Sequence, residues 1–361
     1  MNFLIISIYT IALCLTAIQC FADETSGNIN QLSSKRWPLP PPGPPAVKNK
    51  KILFAAMDLK NGGILGVLEG AEEAIKEIGW ELKVIDANGS KEQALENLQK
   101  ASSMDLDGVI IGGLNASDFK KELQALAEKN IKIVGWHCAG KPGPISGTPV
   151  QANITTDPIK VANYAVRGII NENSQSKGVI IFTDSNFEIA LTKSSQMAKS
   201  LSRCQNCKLL EVVDLELAST SLQAQEKINQ LLQKYGRRWT HSLGINDLYF
   251  DYAAPIFAIH PESFPLEIKN ISAGDGSYSA YLRIKYDGQQ QATIPEPLLF
   301  QGWQAVDELN RLFSKQPPSE YIAPIIIITQ KNILDEINKN NLFDPSNNYR
   351  SAYRRNWNNK R

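Results

Sequence analysis

Residues 52–57, Ile-Leu-Phe-Ala-Ala-Met, are apolar without a break and end abruptly in Asp58-Leu59-Lys60-Asn61-Gly62-Gly63. So short an apolar run reads as a strand buried on both faces, the environment of a parallel sheet. Leu65, Leu68, Ala71, Ile75 and Ile78 then recur at helical spacing, Gly79 marks a stop, and Leu82, Val84 and Ile85 begin a second strand. A parallel pair needs such a crossover helix, with a right-handed turn. Ligands of open parallel sheets lie beyond the carboxyl ends of the strands, so the loop 58–63, with Asp58 and Asn61, is the first candidate binding surface.

The same alternation continues. Strands are expected at 82–86, 106–112 and 131–136, separated by helices at 90–102 and 117–129. A second series has strands at 150–154, 178–183, 208–215, 242–246 and 266–273, with helices at 157–171, 188–202, 221–235 and 248–258. A strand at 292–297, a helix at 299–315 and an apolar strand at 322–329 complete it. The class is therefore α/β, with helices on both faces of two sheets, and 361 residues suit two domains. Strand ends such as Trp136-His137-Cys138, Asn246-Asp247 and Gly274-Asp275-Gly276 are small or polar and should converge on one edge of each sheet.

The flanks carry address and tether signals. Residues 3–22 form an apolar run closed by Ala22 before Asp23-Glu24, which reads as a secretory signal peptide spanning 1–22; a retained membrane anchor is the alternative. Cys20 raises a lipoprotein reading that Ile18-Gln19 disfavour, and a soluble periplasmic protein is expected. Loss of 1–22 leaves Cys138, Cys204 and Cys207. Cys204-Gln-Asn-Cys207 reads as a short structural disulfide or as free thiols, since a second zinc-ligand pair and a thioredoxin-like setting are both lacking. Residues 23–50 are polar and then proline-rich, a linker that serves as spacer, as an arm packed on the body, or as a docking segment for a partner. Residues 344–361, rich in Asn and Arg without an apolar period, are expected to be a flexible basic tail. A net charge of +1 gives no electrostatic case for nucleic acid.

In order, ILFAAMDLKNGGILGVLEGAEEA, LDGVIIGGLNASDF, IKIVGWHCAG, ANITTDPIKVA, GVIIFTDSNFEIALTKSSQMAKSL, LGINDL, ISAGDGSYSA and ATIPEPLLFQGWQAVDEL resemble the type I periplasmic binding proteins, the ribose- and galactose-binding kind. The resemblance spans about residues 50–335. It implies two doubly wound parallel-sheet lobes, 51–154 with 298–322 and 155–297 with 323–343, joined by a three-crossing hinge near 153–157, 295–300 and 322–324. It also implies a small-molecule ligand, sugar-like or a larger polar or aromatic one, in the cleft, closure by hinge bending, and presentation of the closed state to an inner-membrane ABC permease. A membrane kinase or chemoreceptor as partner is the alternative. Ligand contacts carried over from the family fall on Asn61, His137, Cys138, Lys193, Asn246, Asp275 and Glu296. Amides and carboxylates suit hydroxyl pairs because they donate and accept in fixed directions.

The chain departs from the family where Gly63 and Ile64 replace stacking aromatics, His137-Cys138 replaces an Asp-Arg pair, and Lys193 replaces an arginine. Trp136, Phe187, Tyr249 and Tyr278 are the substitute aromatics, and the glycines would make room for a larger or flatter ligand. Each residue also has a plainer reading: Trp136 and Tyr249 as core, His137 as a hydrogen-bonded loop residue, Asp58 as a helix cap, Lys193 as a solvated side chain. With no Ser-His-Asp order, phosphate loop or metal cluster at the strand ends, neither an enzyme nor a cofactor is expected.

Overall fold

Because a parallel strand is buried on both faces, each of these strands must be covered by the helices that flank it in sequence. The computed structural model describes residues 33–170, 176–219, 221–259, 268–286 and 288–359. The expected signal peptide, 1–22, lies outside the described residues. In the first lobe β1 (Lys51–Ala56), α1 (Gly62–Ile78), β2 (Glu81–Asp86), α2 (Lys91–Ala101), β3 (Gly108–Gly112), α3 (Lys120–Glu128), β4 (Lys132–Trp136) and β5 (Asn153–Ile154) follow one another. Their sheet is wholly parallel, in the order β2-β1-β3-β4-β5.

The chain then passes into the second lobe. There α4 (Pro158–Ile170), β6 (Lys177–Thr183), α5 (Glu188–Leu201), β7 (Cys207–Asp214), α6 (Ser221–Tyr235), β8 (His241–Gly244), α7 (Leu248–Ile259), β9 (Lys269–Ser272), α8 (Tyr278–Lys285) and β10 (Gln290–Thr293) build a second core. A second crossing leads to α9 (Leu298–Phe313) in the first lobe, and a third to β11 (Ile328–Thr329), paired antiparallel to β10. The second sheet runs β11-β10-β9-β8-β6-β7 and is otherwise parallel. The apolar strand expected at 322–329 is thus reduced to two residues; Ala323, Ile326 and Ile328 pack instead into a small third core with Tyr281 and Ile284. A disulfide joins Cys204 to Cys207 ahead of β7.

Helices α1 and α9 meet backbone to backbone. A Cβ at Gly70 would overlap the Leu299 carbonyl, and one at Gly302 would overlap Val67 and Ala71, so only glycine admits this approach.

Two further crossings supplement the three expected. Within the expected flexible tail the described residues 344–359 are packed instead: after α10 (Ile333–Glu336), α11 (Tyr349–Asn358) lays Tyr349, Tyr353 and Trp357 on Phe300 and Trp303 of the first lobe. The Trp303 and Trp357 rings stack at 5.4 Å, and Phe300 and Tyr349 at 4.4 Å. Arg350 and Arg354 pair with Glu73 and Glu77 of α1. The aromatics fall at every fourth residue, one face of a helix, and a tyrosine can bury its ring while keeping its hydroxyl hydrogen-bonded.

The proline-rich stretch is likewise an arm packed on the body. Trp37 is 3% exposed and sits edge-on to Phe343 in the third core, on the second-lobe side. Further on, Arg311 donates to the carbonyls of Pro41 and Pro42, Asn310 to those of Pro44 and Pro45, and Trp80 Nε1 to Val47 O at 2.6 Å. Prolines lack an N–H and cannot pair in a sheet, so their carbonyls need donors from elsewhere, and α9 supplies them.

Among the described residues no helix is long and apolar enough to cross a membrane. Truncating Trp357 to alanine should cost about 3–5 kcal/mol, read as a lowered denaturant midpoint at unchanged slope. An unchanged midpoint would mean that α11 contributes nothing to the fold.

Candidate ligand cleft

At the end of β1 the chain must turn from strand into helix, and two side chains close that turn. Asp58 accepts from the Lys60 N–H at 2.9 Å, while Asn61 caps α1 by accepting from the N–H groups of Gly63 and Ile64 at 2.9 and 3.3 Å. The cap is therefore Asn61, not Asp58.

At the end of β4, His137 adopts the left-handed backbone region, φ +54°, and its ring stacks on Trp136 at 3.7 Å with an 11° tilt. Trp136 Nε1 donates to Gln301 Oε1 at 2.7 Å, and Gln301 Nε2 donates to Glu296 at 2.6 Å. Glu296 also accepts from the Thr156 N–H at 3.1 Å and the Thr156 hydroxyl at 2.6 Å. His137 Nε2 approaches Glu296 Oε1 at 3.3 Å, as an ion-pair contact without aligned hydrogen-bond geometry. Burial opposes ionisation of Glu296, but the contact with His137, the Lys193 charge and the Thr156 hydroxyl outweigh it and hold its pKa at about 2.

From the second lobe, Asp275 accepts from Asn246 Nδ2 at 2.9 Å. Burial raises its pKa above the ordinary range, partly opposed by the charges of His137 and Lys193. Lys193, on α5, is only 2% exposed and faces the same chamber.

These groups enclose a deep chamber of about 40 Å³ between the lobes, onto which Asn61, Trp136, His137, Lys193, Asn246 and Asp275 all face. Of the sequence candidates, Glu296 and Asp58 are not on it. Glu296 lies behind His137 as a buried hinge residue. Asp58 lines an outer chamber of about 390 Å³. Cys138 is also off it: its thiol points back to the carbonyls of Ile111 and Trp136, and burial pushes its pKa up to about 12.

Among the aromatics, Phe187 lines both chambers. Tyr249 is core, stacked on Phe182 at 5.4 Å and donating to Leu215 O, because its helix turns that face onto the sheet. Tyr278 is 51% exposed and lines neither chamber. Nor does Gly63 free space for a ligand, since a Cβ there would overlap the Asp275 carboxylate and come within 3.0 Å of Trp136.

A latch at the cleft edge escaped the sequence reading. Asn115 donates to Asn186 O at 2.6 Å and accepts from the Glu188 N–H at 3.0 Å, and Glu188 accepts from the Gly140 N–H at 3.1 Å. Asn115 stands at a strand end, as binding residues do, but nothing in the sequence names its partner across the cleft. Gln301 and Thr156 lie inside ordinary helix and strand-exit patterns and carry no signal.

Residues 52–316 match the sequence profile described as Periplasmic binding protein domain. A sequence search of curated proteins finds no match. Solved structures do match in fold. An ABC transporter solute-binding protein from Agrobacterium vitis with bound allitol is 16% identical, with a TM-score of 0.69 over 80% of this chain and 98% of that one. GanP, a glucose-galactose binding protein from Geobacillus stearothermophilus, is 19% identical, with a TM-score of 0.68 over 80% and 99%. A chain of the XylFII-LytSN complex is 18% identical, with a TM-score of 0.68 over 80% and 100%.

Two outcomes follow from this geometry. Glu296 has a depressed folded pKa, so the stability it contributes is present above its ordinary value of 4.5 and is lost as pH falls through about 2. Glu296→Gln should abolish that part of the acid slope in equilibrium unfolding; identical slopes for the two proteins would show that the carboxylate is not held ionised. Gly63→Val should wedge the lobes apart, seen as a larger radius of gyration in small-angle scattering, whereas an unchanged value would mean that Asp275 swings aside.

Proposed function

The chain belongs to the periplasmic binding protein family, and on that premise we propose that it captures a sugar-like or other polar small molecule between its lobes and delivers it to an inner-membrane ABC importer. The observation that carries this reading is the convergence of polar side chains from both lobes on one cleft: Asn61 from the first, Lys193, Asn246 and Asp275 from the second. Neither lobe alone presents the full set of donors and acceptors, so ligand contact and closure are one event. The stacked Trp136–His137 pair, braced by Gln301 and Glu296, is the rigid back wall.

Two structures of this fold, described as a solute-binding protein with bound allitol and a glucose-galactose binding protein, support a polyol or sugar as the class of ligand. Function in this reading requires no bond to be made or broken. Export by residues 1–22 to the periplasm completes it, with hinge boundaries near 154, 297 and 322. A second reading, a ligand-sensing receptor acting through a membrane kinase or chemoreceptor, draws on the XylFII-LytSN complex, in which a protein of this fold is joined to another chain. Capture of a permease or of a receptor by the purified protein separates the two.

A panel of sugars and polyols in thermal unfolding should contain at least one stabilising compound. Ligand at one hundred times its Kd adds about 2.7 kcal/mol to the folded state. If no compound stabilises the protein and native mass spectrometry of freshly purified material shows no bound small molecule, solute capture is the wrong reading.

A further inference from the structure

The two interlobe chambers differ in what they can hold. A water needs about 10–15 Å³ of such space, so the deep chamber of about 40 Å³ admits a few waters and falls far below the range of ligand pockets. It cannot gain room at Gly63, where Asp275 and Trp136 already fill the space a side chain would take. The outer chamber, at about 390 Å³, falls within the usual range of ligand pockets, about 300–1,000 Å³. By the same measure it is about ten times roomier than the deep chamber. Asn61, Ile64, Phe187 and Leu217 border both chambers.

The outer walls come from both lobes. Asp58, Lys60 and Asn88 face Asn186, Glu216 and Tyr252. Tyr252 senses Asp58 across the seam: burial, then Asp251, then Asp58 raise its hydroxyl's pKa. Several charged groups on these walls are already committed. Asp184 accepts from the N–H groups of Asn186 and Leu217, Glu92 accepts from Ser90, and Lys91 pairs with Asp118. What remains is two carboxylates, Asp58 and Glu216, one ammonium, Lys60, and amides beside two aromatic rings, a lining suited to hydroxyls and to the apolar face of a sugar and, with acids in excess, unsuited to an anion.

We propose that the body of the ligand lies in this outer chamber and is a neutral saccharide of more than one ring, an inference that rests on solute capture in the cleft. The deep chamber then holds ordered water that links the ligand to Asp275 and Lys193. Calorimetric titration of the full chain with glucose, maltose and maltotriose, galactose and its β-1,4 disaccharide, and xylose and xylobiose tests it. In at least one series the disaccharide should bind tenfold or more tightly than its monosaccharide. Tyr252→Ala and the exposed Glu216→Ala should each weaken that binding about tenfold, the second without touching the core. Monosaccharides that bind as tightly as their disaccharides, with affinities indifferent to both substitutions, would overturn this proposal and leave solute capture standing. Failure of every saccharide to bind the unaltered protein would overturn both.

Discussion

A buried carboxylate is tolerable only where its lone pairs are met by donors, and Glu296 draws its donors and its counter-charge from three separate stretches of chain. Thr156 stands just beyond the first crossing, Gln301 opens the helix after the second, and His137 ends the fourth strand. Pulling the crossings apart would strand a charge in the interior, so lobe motion must bend around Glu296 without dissolving its contacts. The network is also directional. An indole N–H can only donate, so the Gln301 oxygen must face Trp136 and its NH₂ must face Glu296, which fixes the orientation of every group in the chain of bonds. The hinge residue behind the deep chamber thereby sets its back wall.

The arm and the terminal helix add a second constraint. Trp37 is anchored among residues of α8 and Phe343, while residues 41–47 are anchored on α9, α11 and Trp80. The segment 344–348 makes the same passage a second time, from the third core to α11. Any rotation of the lobes must be absorbed in these few residues, and a proline-rich stretch is stiff. Contacts that differ between open and closed states shift the population between them. The arm and α11 therefore act on the same equilibrium as a ligand does, from outside the cleft.

The strand–helix alternation was legible because burial on both faces makes each strand a short apolar run, a pattern that depends only on local sequence. An arm packed on the body was one of the readings the prolines allowed, but its seat was not legible, because the burial of prolines leaves no period and depends on Asn310 and Arg311, more than 260 positions away. The terminal helix did carry a signal, Tyr349, Tyr353 and Trp357 at helical spacing, which a count of aliphatic residues passes over. In the cleft, six candidates came together on the deep chamber, five because strand ends converge in a parallel sheet and Lys193 because the helix that follows such an end lies beside it. The division of labour among them was not readable. Asn61 caps a helix as well as facing the cleft, and Glu296 supports the site from behind, distinctions set by side-chain direction and not by position in sequence.

In the closure proposed above, opposing contributions meet at the cleft edge. The latch consists of three hydrogen bonds between Asn115 or Gly140 and the chain at 186–188, each worth about 0.5–1.5 kcal/mol net. Against it stands Asp275, which closure buries with one side-chain hydrogen bond and with its ionised form disfavoured. A hydroxyl or ordered water that donates to Asp275 removes part of that penalty only when the lobes are together, so it shifts the equilibrium toward the closed state without contributing to the open one. An acceptor placed beside the buried Lys193 ammonium, which faces the same chamber, would work in the same direction. The polar groups of the deep chamber are thus better placed to couple occupancy to closure than to hold the bulk of a ligand.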